Sequence, residues 1–178
     1  MNAATNVAAL PQASPEHNAI GWLEEAVSKA SEDCTETYRS PDWSYEHIHQ
    51  QTLIPWIDGQ LLTRFDAYDD EPSSETKAWW STTIFSVDML LADKVSLTQS
   101  EDRLPAFTNA NNVEAYTWSC HELKIALTQP APYTSADGEP DEIEILSFEV
   151  NDWSLGEKML APFQRLAEGE AGTAKAPL

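Results

Sequence analysis

Two imidazoles stand one residue apart in His47-Ile48-His49. Imidazoles are the side chains that most often hold a transition metal or move a proton near neutral pH. What the pair can do depends on the backbone beneath it. On a helix, residues two apart project roughly 200° from each other and cannot share an ion, whereas on a strand they point to one face. Ser40-Pro41-Asp42, just upstream, has the form of a helix start. The expectation is therefore a helix carrying Trp43, His47 and Ile48, continuing or restarting at Pro55 toward Asp58-Gly59, and no metal site is assigned there.

The other chemical patterns are incomplete. His121-Glu122 begins like a zinc-protease helix, but Ile125 stands where the second histidine would be. A calcium loop over 133–144 would place Asp137-Gly138 at its centre and Glu144 at its end, yet Tyr133 occupies the position of the first carboxylate. The six glycines form no phosphate cradle, and no Gly-x-Ser-x-Gly elbow occurs. No catalytic residue, metal ligand or cofactor is assigned, and the chain is expected to be non-enzymatic.

Charge is the stronger signal. Thirty acidic residues against ten basic give a formal net charge of -20 in 178 residues. The excess is blocky: 24–46 carries -5, 58–75 carries -5, and 137–152 carries -7 without a base. Such blocks keep a protein soluble and protect sheet edges. They also repel nucleic acid and anionic membranes and attract basic surfaces. Glu142 and Glu144 on one strand face would lie about 7 Å apart, a spacing compatible with successive phosphate-binding pockets. Trp79-Trp80 adds two aromatics that point to opposite faces of a strand, so one is a candidate anchor for an interface.

The elements that must position these residues follow from punctuation and period. Residues 1–13 and 169–178 read as loose tails, leaving one domain over 14–168. Ser14-Pro15-Glu16 followed by Ile20, Leu23, Val27 and Ala30 predicts a helix over 15–32. Strands are expected in 60–68 and 77–89, within 114–128 and over 142–150, with a bulge near Leu146-Ser147. The alternative helical period over 77–91 uses Trp80, Ile84, Val87 and Leu91. Ser154-Leu155-Gly156-Glu157 has capping-box spacing and opens a C-terminal helix. The fold class is thus α+β: an antiparallel sheet of about four to five strands, two N-terminal helices and one C-terminal helix, with a mostly α arrangement as the alternative. Trp22, Trp43, Trp56, Trp118 and Trp153 lie near apolar stripes and are expected in the core.

No run of apolar residues is long enough for a membrane helix. Met1–Gln12 lacks the basic and apolar regions of a secretory signal. Cys34 and Cys120 are expected as reduced thiols of a cytoplasmic protein. The function these features favour is an inhibitor of a basic nucleic-acid-handling protein, such as a nuclease or a DNA- or RNA-binding protein. Immunity proteins against nuclease toxins and anti-restriction or anti-CRISPR proteins share this size and charge, without any matched residues. Its partner-binding residues would be Asp69, Asp70, Glu71, Trp79, Trp80, Asp137, Glu139, Asp141, Glu142, Glu144, Glu149 and Asp152, with no direct nucleic-acid or membrane contact and no oligomeric state assigned. The alternatives are an acidic dimeric secretion chaperone and an enzyme with a carboxylate-bound metal.

Overall fold

The computed structural model describes residues 15–42, 44–69, 77–99 and 115–169. Helix α1 (Pro15–Ser31) buries Leu23, Ala26, Val27 and Ala30, the i, i+3, i+4, i+7 stripe its sequence carries. Eight strands follow: β1 (Thr35–Arg39), β2 (Ser44–Pro55), β3 (Gln60–Tyr68), β4 (Lys77–Ser86), β5 (Leu90–Thr98), β6 (Ala115–Trp118), β7 (His121–Ser135) and β8 (Pro140–Val150). Helix α2 (Trp153–Ala167) completes the described chain.

All pairings are antiparallel, and the strands make one sheet that curls into a half-barrel. Its path runs β6-β1-β2-β3-β4-β7. Along one side, β7 pairs with β5 through residues 122–127 and with β4 through 133–135. Its other side pairs with β8. Both helices cover the apolar part of the sheet, where Phe85, Leu123, Ile125, Leu146 and Phe148 are fully or almost fully buried. Phe148 stacks on Phe163 of α2 at 5.0 Å, a pairing that adds about 1 kcal/mol beyond its area burial. Gly156 lets α2 approach: a Cβ there would stand 2.9 Å from Leu97 and 3.0 Å from Val150.

The expected three helices and four to five strands are overturned, and so is the mostly α alternative. The main error is at 40–58, where β2 replaces the second helix. Ser40-Pro41-Asp42 forms a bend, with Ser40 Oγ accepting from the Asp42 N–H at 3.3 Å. Serine and proline suit turns and helix starts alike. The strand reading of 60–68 and 77–86 holds, although Val87–Met89 forms a 3-10 turn. The strand expected within 114–128 is two, β6 and β7, broken at Ser119-Cys120. The bulge lies on β7 between Ala126 and Ala131, opposite Glu144, rather than on β8. Pro130 cannot donate to the ladder there. The 133–144 stretch is a strand hairpin, not a calcium loop. Asp152, not Ser154, caps α2, its carboxylate accepting from the N–H groups of Ser154 and Leu155.

Two further corrections concern side chains. Trp22, Trp56 and Trp153 are partly exposed rather than core, Trp118 lines a cleft, and Trp43 lies outside the described residues. Cys34 and Cys120, expected as free thiols, form a disulfide with a Cα–Cα distance of 5.5 Å. It joins the start of β1 to the start of β7.

The curl is held by side chains that substitute for missing ladder partners. Gln51 of β2 accepts from the Glu149 N–H at 2.9 Å and donates to the Ser147 carbonyl at 2.7 Å. One amide thus satisfies two edge groups of β8, which would otherwise be buried and unpaired. Ser31 at the end of α1 accepts from the Gln51 N–H at 2.8 Å. Asn151 ties the same helix end, donating from its side chain to Glu32 at 2.6 Å and from its backbone to Ala30 at 2.7 Å. These contacts bring β8 beside β2 and fix the depth at which Glu149 and His49 meet. Among the described residues, no helix is long and apolar enough to cross a membrane.

Candidate functional site

On β2 the side chains of His47, His49, Gln51 and Leu53 share one face by strand alternation. The last three are buried. Leu53 belongs to the core and the histidines to the open end of the same concave surface. Register places Glu36 of β1 directly opposite His47, and Trp118 of β6 opposite Glu36. Tyr38 and Tyr116 form the next cross-strand pair toward the rim. From the far side, Ala67 of β3 faces His49, and Trp79 of β4 faces Ala67. The result is a cleft of about 780 Å³ with aromatic walls and a charged floor.

The floor is a chain of alternating carboxylates and imidazoles. One oxygen of Glu36, Oε2, lies 3.6 Å from His47 Nδ1 and 3.6 Å from His49 Nε2. Each of the three residues also has its second polar atom near another side chain. His47 Nε2 is 3.3 Å from Asp69 Oδ1, His49 Nδ1 is 2.8 Å from Glu149 Oε1, and Glu36 Oε1 accepts from the Tyr116 hydroxyl at 2.6 Å. His49 is only 5% exposed, and its Nε2 makes no hydrogen bond. Phe65 stands edge-on to the His49 ring at 4.8 Å and restricts its rotation.

Burial alone would raise the Glu36 carboxyl, but the imidazoles of His47 and His49 and the hydroxyls of Tyr116 and Tyr38 around it outweigh burial and hold the group well below the ordinary carboxylate range. Burial alone would lower His49, yet Glu149 and Glu36 on either side push it up to about 9. Burial, reinforced by Glu36, raises the Tyr38 and Tyr116 phenols well above their ordinary value. Both phenols therefore remain protonated and can act as donors.

Two imidazoles and one carboxylate, with ligand atoms all within 4.8 Å of one another, are a donor set for a divalent first-row metal. Ligand atoms about 2.1 Å from a tetrahedral ion lie about 3.4 Å apart. The two 3.6 Å separations at Glu36 Oε2 are close to that. Ligating histidines characteristically present one ring nitrogen to the metal and the other to a carboxylate or carbonyl, which fixes ring orientation. Both histidines here have that surrounding.

Comparison of the chain with protein families, with curated proteins and with solved structures finds no match. The site's chemistry therefore stands on its own geometry.

The residues anticipated as partner-binding are dispersed. Asp69 and Glu149 belong to the cleft, as does Trp79. Trp80 lies on the opposite face under the Arg64 guanidinium, 5.8 Å from its ring centre. Asp137, Glu139, Asp141, Glu142 and Glu144 are exposed along the β7–β8 hairpin, and Asp152 caps α2. Asp70 and Glu71 lie outside the described residues. Glu36, Tyr38, Tyr116 and Trp118 were not anticipated as part of a site. His47 and His49 were considered and set aside on a helical backbone; the strand of β2 reverses that geometry. His121 packs edge-on against Trp153 at 5.2 Å and stands outside the cluster.

Proposed function

We propose that this protein binds one divalent first-row transition metal through Glu36 Oε2, His47 Nδ1 and His49 Nε2, and uses it on a small molecule that enters the aromatic cleft. The supporting observation is the paired engagement of every ligand: each inward atom faces the common centre while Asp69, Glu149 or Tyr116 stands at the outward one. Three protein ligands leave coordination positions for water or substrate, the arrangement of reactive rather than purely structural sites. A bound metal would supply Lewis acidity at the cleft floor. Glu149 and Asp69 would hold the imidazoles in the ligating orientation, and the aromatic walls would exclude bulk water. The Cys34–Cys120 bridge ends two residues from Glu36 and two from Trp118, and it favours an oxidising compartment over the cytoplasm.

Cobalt titration tests this. Metal-free protein should take up one equivalent of Co²⁺ with visible absorption bands of a nitrogen- and oxygen-ligated ion. His49→Ala and Glu36→Gln should abolish the bands. Sub-stoichiometric uptake, or unchanged bands in both variants, would defeat the reading.

A second reading keeps the acidic surface, because five carboxylates of the β7–β8 hairpin are exposed together. They would attract a basic protein, with association slowed markedly by added salt. Trp79 is not available as its anchor, since that ring lines the cleft. Salt-independent association with a basic partner would remove this reading.

A further inference from the structure

Beyond the metal cluster the concavity continues. A second lobe of about 340 Å³ shares Phe65, Trp79, Trp118 and Glu149 with the first, so these side chains form a waist between two chambers. The second chamber differs in chemistry. Thr63 of β3 and Thr83 of β4 are cross-strand partners, and Ser81 lies two residues from Thr83 on the same face. All three are at least nine-tenths buried, at 9%, 4% and 8% exposure. Their hydroxyls make no hydrogen bond among the described residues. None of the three oxygens is fully enclosed, so each stays open to the chamber and to whatever occupies it. Ile143, Ile145 and Leu146 close the chamber on its β8 side.

We propose that the two lobes together bind an uncharged, flat ring compound bearing oxygen at both ends, of the phenol or ring-ketone class. The ring lies at the waist among Phe65, Trp79 and Trp118. One oxygen is hydrogen-bonded by Thr63, Ser81 and Thr83; the other reaches the floor at Glu36, His47 and His49. This rests on the metal reading for the floor end alone. Anions are disfavoured: Glu36, Glu149, Asp69 and Glu122 line the two lobes, and neither lobe is lined by a lysine or arginine among the described residues. Flat rings are favoured because aromatic side chains pack against π-faces at little conformational cost. The three hydroxyls supply selectivity, since a bound ligand lacking the matching oxygen leaves these groups covered and unpaired.

The experiment uses metal-free protein in chelator and three probes: 2,6-dihydroxynaphthalene, naphthalene and 6-hydroxy-2-naphthoate, with affinities from calorimetry or ligand-observed NMR. The dihydroxy compound should bind about tenfold or more tightly than either other probe. In Thr63→Val/Thr83→Val, its affinity should fall about tenfold, on the order of one or two lost hydrogen bonds, while that of naphthalene holds or rises. Equal affinities, preference for the carboxylate, or no binding of any probe to the wild type would overturn the proposal. The wild-type series decides it even where the double variant does not fold. Cobalt titration of the same preparations separates the two ideas. Unaltered metal uptake with no probe selectivity sinks the substrate class alone, and probe selectivity without metal uptake sinks the metal reading alone.

Discussion

Two groups of carboxylates in this protein are chemically alike and differently used. Along the β7–β8 hairpin, Asp137, Glu139, Asp141, Glu142 and Glu144 face solvent. Around His49, Glu36 is half-buried and Glu149 is 9% exposed, and each has an oxygen 2.8 Å or less from a ring nitrogen or a phenol. The hairpin acids retain their hydration and interact weakly through a screened medium. The site acids have given up water and are stable only with partners. Charge density along a chain thus marks where solvation is easy. Chemistry is marked by the few acids for which it is costly.

The sharpest way to break this contrast is to remove one member of each group and measure metal affinity by calorimetry. His49→Ala or Glu36→Gln deletes a ligand and should weaken binding by more than about 100-fold, roughly 3 kcal/mol or more. Glu142→Gln should leave it within about twofold. Equal losses from both groups would mean that the general negative field, not the floor cluster, attracts the ion.

Glu149 offers a finer cut. Its carboxylate touches no ion in the proposed arrangement but holds His49 Nδ1 at 2.8 Å. Glu149→Leu should cost about 10–100-fold in metal affinity, the range for lost orienting partners. Glu149→Gln, whose amide oxygen still accepts from Nδ1–H, should cost less. An effect of Glu149→Leu as large as that of His49→Ala, with no rescue by Gln, would make Glu149 a ligand rather than an orienting group.

Acidity separates the groups further. His49 rises from 6.5 to about 9 in the fold, so its contribution to the stability of metal-free protein is complete below about 6.5 and lost as pH climbs through 9. Glu36 is lowered from 4.5, so its contribution is complete above about 4.5 and lost as pH falls toward its folded value. Both are present together between about pH 4.5 and 6.5. Thermal melts in chelator should show a maximum there. His49→Gln should flatten the alkaline decline between pH 6.5 and 9, and hairpin amides should not. A decline of undiminished slope in His49→Gln would assign it to other groups.

How far the site was legible in the sequence turns on β2. Its inward positions run His47, His49, Gln51, Leu53, so the period-2 pattern is written mostly in polar letters and escapes a search for apolar alternation. The helix-like start at Ser40-Pro41 completed the misreading. Where the inward face is apolar, as in Leu123, Ile125 and Leu127 of β7, the strand was plain. The same holds for α1, whose stripe is wholly apolar. Glu36 could not have been singled out from thirty acids, because its partners come from β2 and β6, up to 80 residues away. The disulfide was equally hidden, since its cysteines are 86 residues apart and only the β1–β6 pairing brings them together.

The smallest expected effect belongs to the hairpin itself. Changing Glu139, Glu142 and Glu144 to glutamine removes three charges from a molecule at -20 without touching a described ion pair. If these side chains only repel one another, the variant should melt slightly higher at low ionic strength, by about 1–2 °C. The gain should vanish near 0.5 M salt, where the screening length falls to a few ångströms. Metal and probe affinities should stay the same, since the cleft floor is held by other strands. A substantially lower melting temperature would show that the hairpin acids are partnered after all, and the division between solvated and functional carboxylates would fail from its exposed side. A gain that persisted in high salt would instead point to strand propensity, because like-charge repulsion is screened there while the intrinsic preference of a side chain for a strand is not.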